Sequence, residues 1–273
     1  MIREKNDLSL PLHSILPKSW KEEIGTPLDN LAFRNLDHFK YVVSKLKQVK
    51  DDNTGTSYAK ALEDLLANRG ALTAEKRESI RNLVRSNLHK RGLITEEVYE
   101  NFRYTVDGTN VGVDVGKYAS GKPDCVMSPA VQYVDFFYEL YISISYPWNV
   151  TDESVKTNTA KLLAAIEELE RQHIFIKIVT IFPARNVTRR GGQKLFSTIP
   201  LFSHKERKSV ETMSAVVNER LQRKFYFAIM EDLYGDDLSS NYGNVIRLED
   251  CMCIGDDFNE VEFFENIVKA VGA

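Results

Sequence analysis

The chain has 273 residues, of which 43% are hydrophobic and 27% charged, with a formal net charge of −3; this is the composition of an ordinary soluble globular protein with enough apolar sequence for a full core. No apolar run approaches the ~18 residues of a membrane span, and the N-terminal stretch MIREKNDLSLPLHSIL lacks the long apolar region of a signal peptide. Cys125, Cys251 and Cys253 are odd in number and lack zinc-type spacing, so they are expected to be reduced thiols of a cytoplasmic protein.

Residues 1–28 carry Pro11, Pro17, Gly25 and Pro27, which break any long element. Asp29 or Asn30 is expected to cap a helix with Leu36, Phe39, Val43 and Leu46 on one side. After the polar stretch KQVKDDNTGT, a second helix is expected over Ser57–Asn68, stopped near Gly70 by a left-handed glycine. Thr73 starts a third, which runs to Lys90 and ends at Gly92; Thr95–Phe102 reads as a short fourth. Residues 103–135 read as a glycine-rich connection. Its glycines match neither a dinucleotide fingerprint nor a phosphate-binding P-loop, and a loop needing positive φ at several points accounts for them.

From Phe136 to Pro183 the pattern becomes strand, helix, strand. Tyr138–Tyr146 is rich in aromatic and β-branched residues and stops at Pro147. Thr151 is placed to cap a helix, with Asp152 and Glu153 in its first turn and a stripe of Leu162, Ile166, Leu169 and His173. Ile174–Phe182 is nearly continuous apolar sequence, as expected of a strand covered on both faces. Two such strands joined by one helix form a right-handed parallel unit.

Beyond Pro183, the segment ARNVTRRGGQK leads into an apolar strand over Leu195–Phe202, which predicts a hairpin or an extended crossover with a basic tip. Residues 204–234 read as two helical segments, the second with Leu221, Phe225, Ala228, Ile229 and Leu233 toward the core. A short strand is expected over Asn244–Leu248. Asp256 or Asp257 is expected to cap a last helix carrying Phe258, Val261, Phe264 and Val268. The fold class is therefore α/β: a mostly parallel sheet with helices on both faces, Rossmann-like or von Willebrand A-like. A mostly helical region over residues 1–104 precedes an α/β core domain over residues 105–273.

Catalytic constellations do not emerge. Ser143-x-Ser145 ends the first core strand, but a von Willebrand A-type metal site needs an aspartate where this chain has Tyr141. The five histidines are scattered, Cys251-x-Cys253 alone does not complete a tetrahedral site, and there is no G-x-S-x-G elbow. The expectation is a protein without enzymatic activity, cofactor or metal.

Charge is more informative. From Lys177 to Lys224 there are eleven Lys and Arg against three Glu, whereas Phe225–Ala273 holds eleven Asp and Glu against two basic residues. Such blocks either pair with each other or present two faces of opposite sign. Arg77, Arg81 and Arg85 fall at i, i+4 and i+8 on one helix face, where like charges repel and an anionic partner would relieve them; Ile80, Val84 and Leu88 lie beside them, facing the core. Arg185, Arg189, Arg190 and Lys194 surround Gly191-Gly192, and Lys205, Arg207 and Lys208 follow, with Phe182, Phe196 and Phe202 interleaved. Cations mixed with aromatics are what a single-stranded nucleic-acid groove uses for backbone neutralisation and base stacking. A solvated hairpin with its phenylalanines in the core is the alternative.

The segment from Gly112 to Tyr118 (GVDVGKY), followed by Gly121 to Met127 (GKPDCVM), resembles a signature of uncharacterised tailed-phage proteins, V-D-V-x-x-Y/F-x-x-G-x-P-x-C-M before a strand, a helix and a strand. A later R-R-x-x-F helix ending in an acidic residue has its counterpart in Arg223-Lys224-Phe225-Tyr226-Phe227, ending at Glu231-Asp232. Cys-Val-Met for Cys-Met and Arg-Lys for Arg-Arg are departures from that pattern. The resemblance covers residues 105–235 and implies a phage origin and a host-cytoplasmic setting, but assigns no biochemistry. It also suggests a single-strand DNA-binding cofactor of a phage single-subunit RNA polymerase, tied to no particular residue.

Together these readings give a non-enzymatic phage accessory protein, without a membrane role, that binds nucleic acid in transcription or replication, single-stranded DNA rather than duplex. Its contacts would be the basic residues from 185 to 208, with the 77-81-85 stripe as a secondary surface. The acidic C-terminal block would dock on a basic partner such as a polymerase or replication protein, or limit self-association. The competing reading is a von Willebrand A-like protein-interaction adaptor with no nucleic-acid role, which suits the near-neutral net charge.

Overall fold

The structure, a computed structural model, describes residues 28–46, 57–94, 102–105, 112–113, 115–122, 126–129, 135–145, 150–239, 244–246, 248, 251–255 and 258–272. Its centre is β6, Ile174–Arg185. On one side β5, Phe136–Ser143, runs parallel to it, with Phe136 opposite Ile174 and Ser143 opposite Ile181. On the other side β7, Lys194–Phe202, folds back antiparallel, with Arg185 opposite Lys194. β1, Leu28–Ala32, lies parallel to β7 at one edge, and β9, Met252–Cys253, lies parallel to β5 at the other. The order is β1-β7-β6-β5-β9; the two residues of β8, Asn244–Val245, pair with the end of β6. This is the mostly parallel α/β sheet that the sequence predicts.

A separate three-stranded antiparallel sheet joins β2, Phe102–Thr105, β4, Val126–Pro129, and β3, Gly112–Val113. The glycine-rich stretch read as a connecting loop is therefore partly sheet. The expected fourth helix lies outside the described residues over 95–100, and Phe102 is in β2.

The helices before the core are α1, Leu36–Ser44, α2, Tyr58–Leu66, and α3, Ala74–Lys90. Ser57 and Thr73 cap α2 and α3, each accepting a backbone N–H from the residue three places on. Asn35, not Asp29 or Asn30, caps α1 by accepting from His38 N at 2.9 Å. The sequence LDNLA instead forms β1, because pairing with β7 outweighs the local turn preference of Asp and Asn. After the short α4, Val115–Ala119, comes α5, Asp152–Arg171, which crosses over between β5 and β6 with Thr151 as its cap. Leu162, Ile166 and Leu169 are buried on it, each contributing ~1.5–3 kcal/mol of apolar burial. His173 is not part of that stripe. It lies past the helix with φ 64° and hydrogen-bonds Asp135 at 3.1 Å. The remaining helices are α6, Val210–Val217, α7, Glu219–Tyr234, and α8, Glu260–Val271. The side chain of Asn259 caps α8, in place of the expected Asp256 or Asp257, and Phe263, Phe264 and Ile267 are its buried hydrophobic residues.

All the long helices share one core. Phe39 and Val43 of α1, Ala61 and Leu65 of α2, and Val84 and Leu88 of α3 bury with Leu162, Met213, Phe225 and Phe264 against Ile142, Ile176, Ile178 and Leu195 of the sheet. Residues on both sides of position 104 thus contribute to the same interior. The other sheet face carries a smaller cluster of Ala32, Val179, Ile181 and Phe196 covered by Ile246 and Leu248, with Tyr141 and Cys251 against it. Helices on both faces are expected from the sequence; among the described residues the second face is covered by Ile246 and Leu248, with no helix residue in its cluster.

Candidate nucleic-acid interface

Strand alternation places Phe175, Lys177, Val179, Ile181 and Arg185 of β6 on this second, outer face, while Ile174, Ile176, Ile178, Phe182 and Ala184 enter the helical core. Burial along β6 alternates over its first four residues and becomes continuous only afterwards. Two ends of one strand surface therefore differ in character, and the apolar cluster under Ile246 and Leu248 separates them.

At the start of β5 and β6, Phe137 and Phe175 are directly opposite and stack, with centroids 6.0 Å apart and planes at 29°. Phe137 is 54% exposed. Lys205 Nζ stands 5.0 Å from the Phe175 centroid and 5.6 Å from that of Phe137, within the range of a cation–π contact. The His204 ring meets Phe137 edge-on at 5.2 Å. Lys205 also donates to Asp135 at 2.6 Å, and this bond, followed by that from His173, holds the Asp135 carboxyl below its ordinary value. Next along the face, Lys177 donates to Glu139 at 2.7 Å and Tyr141 donates to Glu139 at 2.8 Å. Partial burial pulls Glu139 upward, but these bonds outweigh it and leave the carboxyl lowered. Burial lowers the pKa of His204, which favours its neutral form. The result is an aromatic platform whose cations are matched by carboxylates.

At the far end the β6–β7 hairpin carries Arg185, Arg189, Arg190 and Lys194. Gly191 and Gly192 turn the chain with φ 74° and 79°, conformations that a side chain would strain. The acidic segment docks on this hairpin through backbone groups: Arg189 N donates to Asp237 O at 2.7 Å, Ser239 N to Val187 O at 2.8 Å, and Arg189 Nε to Leu238 O at 3.2 Å. Arg185 and Arg190 are exposed and meet no carboxylate among the described residues.

The other basic residues lie elsewhere. Arg77 pairs with Glu211, Arg81 with Glu167 at 2.7 Å and Glu78 at 3.2 Å, and Arg85 with Glu168 at 3.9 Å. The anion that relieves the stripe thus comes from α5 and α6 of the same chain. Arg77 and Arg81 line a cleft of about 800 Å³ with Arg207 and Lys208. Lys208 is buried, donating to Glu170 and, at 2.5 Å, to His204 O. The ten basic residues singled out by sequence therefore occupy three places rather than one groove.

Phe182, Phe196 and Phe202 are buried, as the alternative reading of the hairpin has it, and take no part in an exposed surface. Phe137 and Phe175 are the aromatics that sequence reasoning missed, although Lys177, two residues beyond Phe175, marks the outward side of β6. Ser143 and Ser145 are buried and bonded to each other, Ser145 N donating to Ser143 Oγ at 3.4 Å. Among the described residues, no group of three or more His, Cys, Asp or Glu is placed to hold a metal ion, and no helix is long and apolar enough to cross a membrane. Cys251 and Cys253 are not joined in a disulfide, and burial pushes the Cys251 thiol up.

Fold and surface together define an α/β protein, a mostly parallel sheet flanked by helices, with an outer sheet face that among the described residues ends in an aromatic platform on one side and a basic hairpin on the other. The chain belongs to a family described as a domain of unknown function, DUF7192, which matches residues 21–267. No curated protein and no solved structure matches it.

Proposed function

We propose that this protein is a non-enzymatic accessory protein that binds single-stranded DNA through the outer face of its sheet. The observation that carries the reading is Phe137, a large apolar ring on a strand surface, 54% exposed and backed by Phe175. An unpaired base offers its π-face to such a ring, and base–aromatic stacking contributes about 1–3 kcal/mol per base. In a duplex those faces are occupied by neighbouring bases, so the platform selects single strands. Arg185 and Lys194, opposite each other on the same face, and Arg190 in the turn between their strands contact phosphates. The 77-81-85 stripe and Lys208, engaged by carboxylates of this chain, are left out of the interface.

The phage setting, the host cytoplasm as location, and a phage RNA polymerase or replication protein as partner of the acidic block rest on the sequence signature of residues 112–127 and on charge. The test is fluorescence anisotropy of labelled oligonucleotides with the wild-type chain and Phe137→Ala. Wild-type binding that the variant loses supports the reading, and equal binding by both contradicts it. A protein-docking adaptor is the second reading, favoured by the exposed phenylalanine within a rim of paired charges, an arrangement also found at protein hot spots. Absence of oligonucleotide binding at low salt would leave that reading in place.

A further inference from the structure

Resting on the single-strand reading, we infer that the ligand is held at two separate points, stacked at the Phe137–Phe175 platform and neutralised at the Arg185–Lys194 end of the hairpin, so that tight binding requires a strand long enough to bridge them. Phe175 and Arg185 are on one strand and one face, ten residues apart, or about 33 Å at ~3.3 Å per residue. Between them the sheet is roofed by Ile246 and Leu248 over Val179, Ile181 and Phe196, so its surface is closed to bases there. A stacked single strand advances roughly 3.4 Å per nucleotide and an extended one about twice that, so the bridge needs about five to ten nucleotides.

The two points differ in chemistry. At the platform Lys205 is matched by Asp135 and Lys177 by Glu139, so attraction there comes from stacking and has little charge to screen. At the hairpin Arg185 and Arg190 are exposed and form no ion pair among the described residues, so attraction there is ionic. Short oligonucleotides are therefore held weakly and almost independently of salt. Longer ones gain a second, intramolecular contact that raises affinity and brings salt dependence with it.

The experiment is an anisotropy titration of oligothymidylates from about four to about sixteen nucleotides, each at two salt concentrations. Affinity is expected to rise by about tenfold or more across the bridging length. The slope of log K against log salt should steepen over the same lengths, by roughly 0.7 for each phosphate neutralised. Abasic spacers at the central positions of a long oligonucleotide should be tolerated, whereas spacers at the end seated on Phe137 should weaken binding. In the R185A/R190A protein the step in slope should shrink by roughly 0.7 for each phosphate no longer neutralised, leaving the part due to Lys194. Affinity that grows only in proportion to the number of overlapping registers, with a salt slope independent of length, overturns the two-point arrangement while leaving single-strand binding intact. Failure of every length to bind at low salt overturns the underlying reading.

Discussion

Lys205 Nζ lies 5.0 Å from the centre of the Phe175 ring while its hydrogen bond to Asp135 is 2.6 Å long, so one ammonium joins the aromatic pair to a carboxylate. That contact fixes the position of the 203–208 loop over the start of the sheet and leaves Phe137 as the accessible ring. Phe137→Ala should cost about 0.5–1.5 kcal/mol of stability, because the half-exposed ring gives up its stack on Phe175 but little core burial. It should weaken single-strand binding by about 1–3 kcal/mol. Urea unfolding and anisotropy on the same preparation separate the two effects.

Asp135 gives a pH signature. Its folded-state pKa is lowered by Lys205 first and His173 second, so its contribution to stability is present above the ordinary aspartate pKa and lost as pH falls through the depressed one. Carbon-detected NMR titration should place Asp135 below the usual aspartate range. In Lys205→Ala the value should move upward toward that range; an unchanged value would show that the Lys205 bond does not hold the carboxyl down.

The hairpin arginines should matter to binding and not to folding. Arg185→Ala with Arg190→Ala is expected to leave the unfolding midpoint unchanged within error, since both side chains are exposed. The salt slope of single-strand binding should flatten by roughly 0.7 for each phosphate that is no longer neutralised.

The α3 stripe should behave in the opposite way. Arg81→Ala removes the ion pairs with Glu167 at 2.7 Å and Glu78 at 3.2 Å. Both ends of these pairs are well exposed, so the loss of stability should be at most about 1 kcal/mol. Oligonucleotide affinity and its salt slope should not move, and a clear weakening would restore the stripe to the interface.

Tyr226 tests the core. It is fully buried, stacks on Phe182 at 4.1 Å with planes 11° apart, and shares a 2.9 Å hydrogen bond with the buried hydroxyl of Ser197. Tyr226→Phe keeps the stack but leaves Ser197 without that partner, which should destabilise the fold by about 1–3 kcal/mol in urea titration.

Much of this architecture is legible in the residues because the signals are local. Ser57, Thr73 and Thr151 each stand just before an apolar period and each caps its helix. The β5-α5-β6 unit follows from strand composition and helix length. What escapes depends on pairing between distant segments. LDNLA looks like a helix cap until β7 is placed beside it, and the α8 cap moves from Asp256 or Asp257 to Asn259.

The site is less legible, for a related reason. Arg185 and Lys205 are close in sequence, but the antiparallel return of β7 carries them to opposite ends of the sheet. Lys208 reads as a surface cation and is buried on Glu170. The phenylalanines nearest the basic residues in sequence fill the core, while Phe175 lies in a run that reads as continuous interior strand and Phe137 just precedes the strand expected over Tyr138–Tyr146. The alternation of Phe175 and Lys177 with Ile174, Ile176 and Ile178 is the signal that would have separated the two faces.

The most direct measurement is fluorescence anisotropy of single- and double-stranded oligonucleotides of equal length, titrated at two salt concentrations with the wild-type chain and Phe137→Ala. Single-strand binding through the Phe137 platform predicts tighter binding of the single strand, weakening with salt, and loss of that preference in the variant. Equal affinity for both forms, or a preference that survives removal of the Phe137 ring, would contradict it.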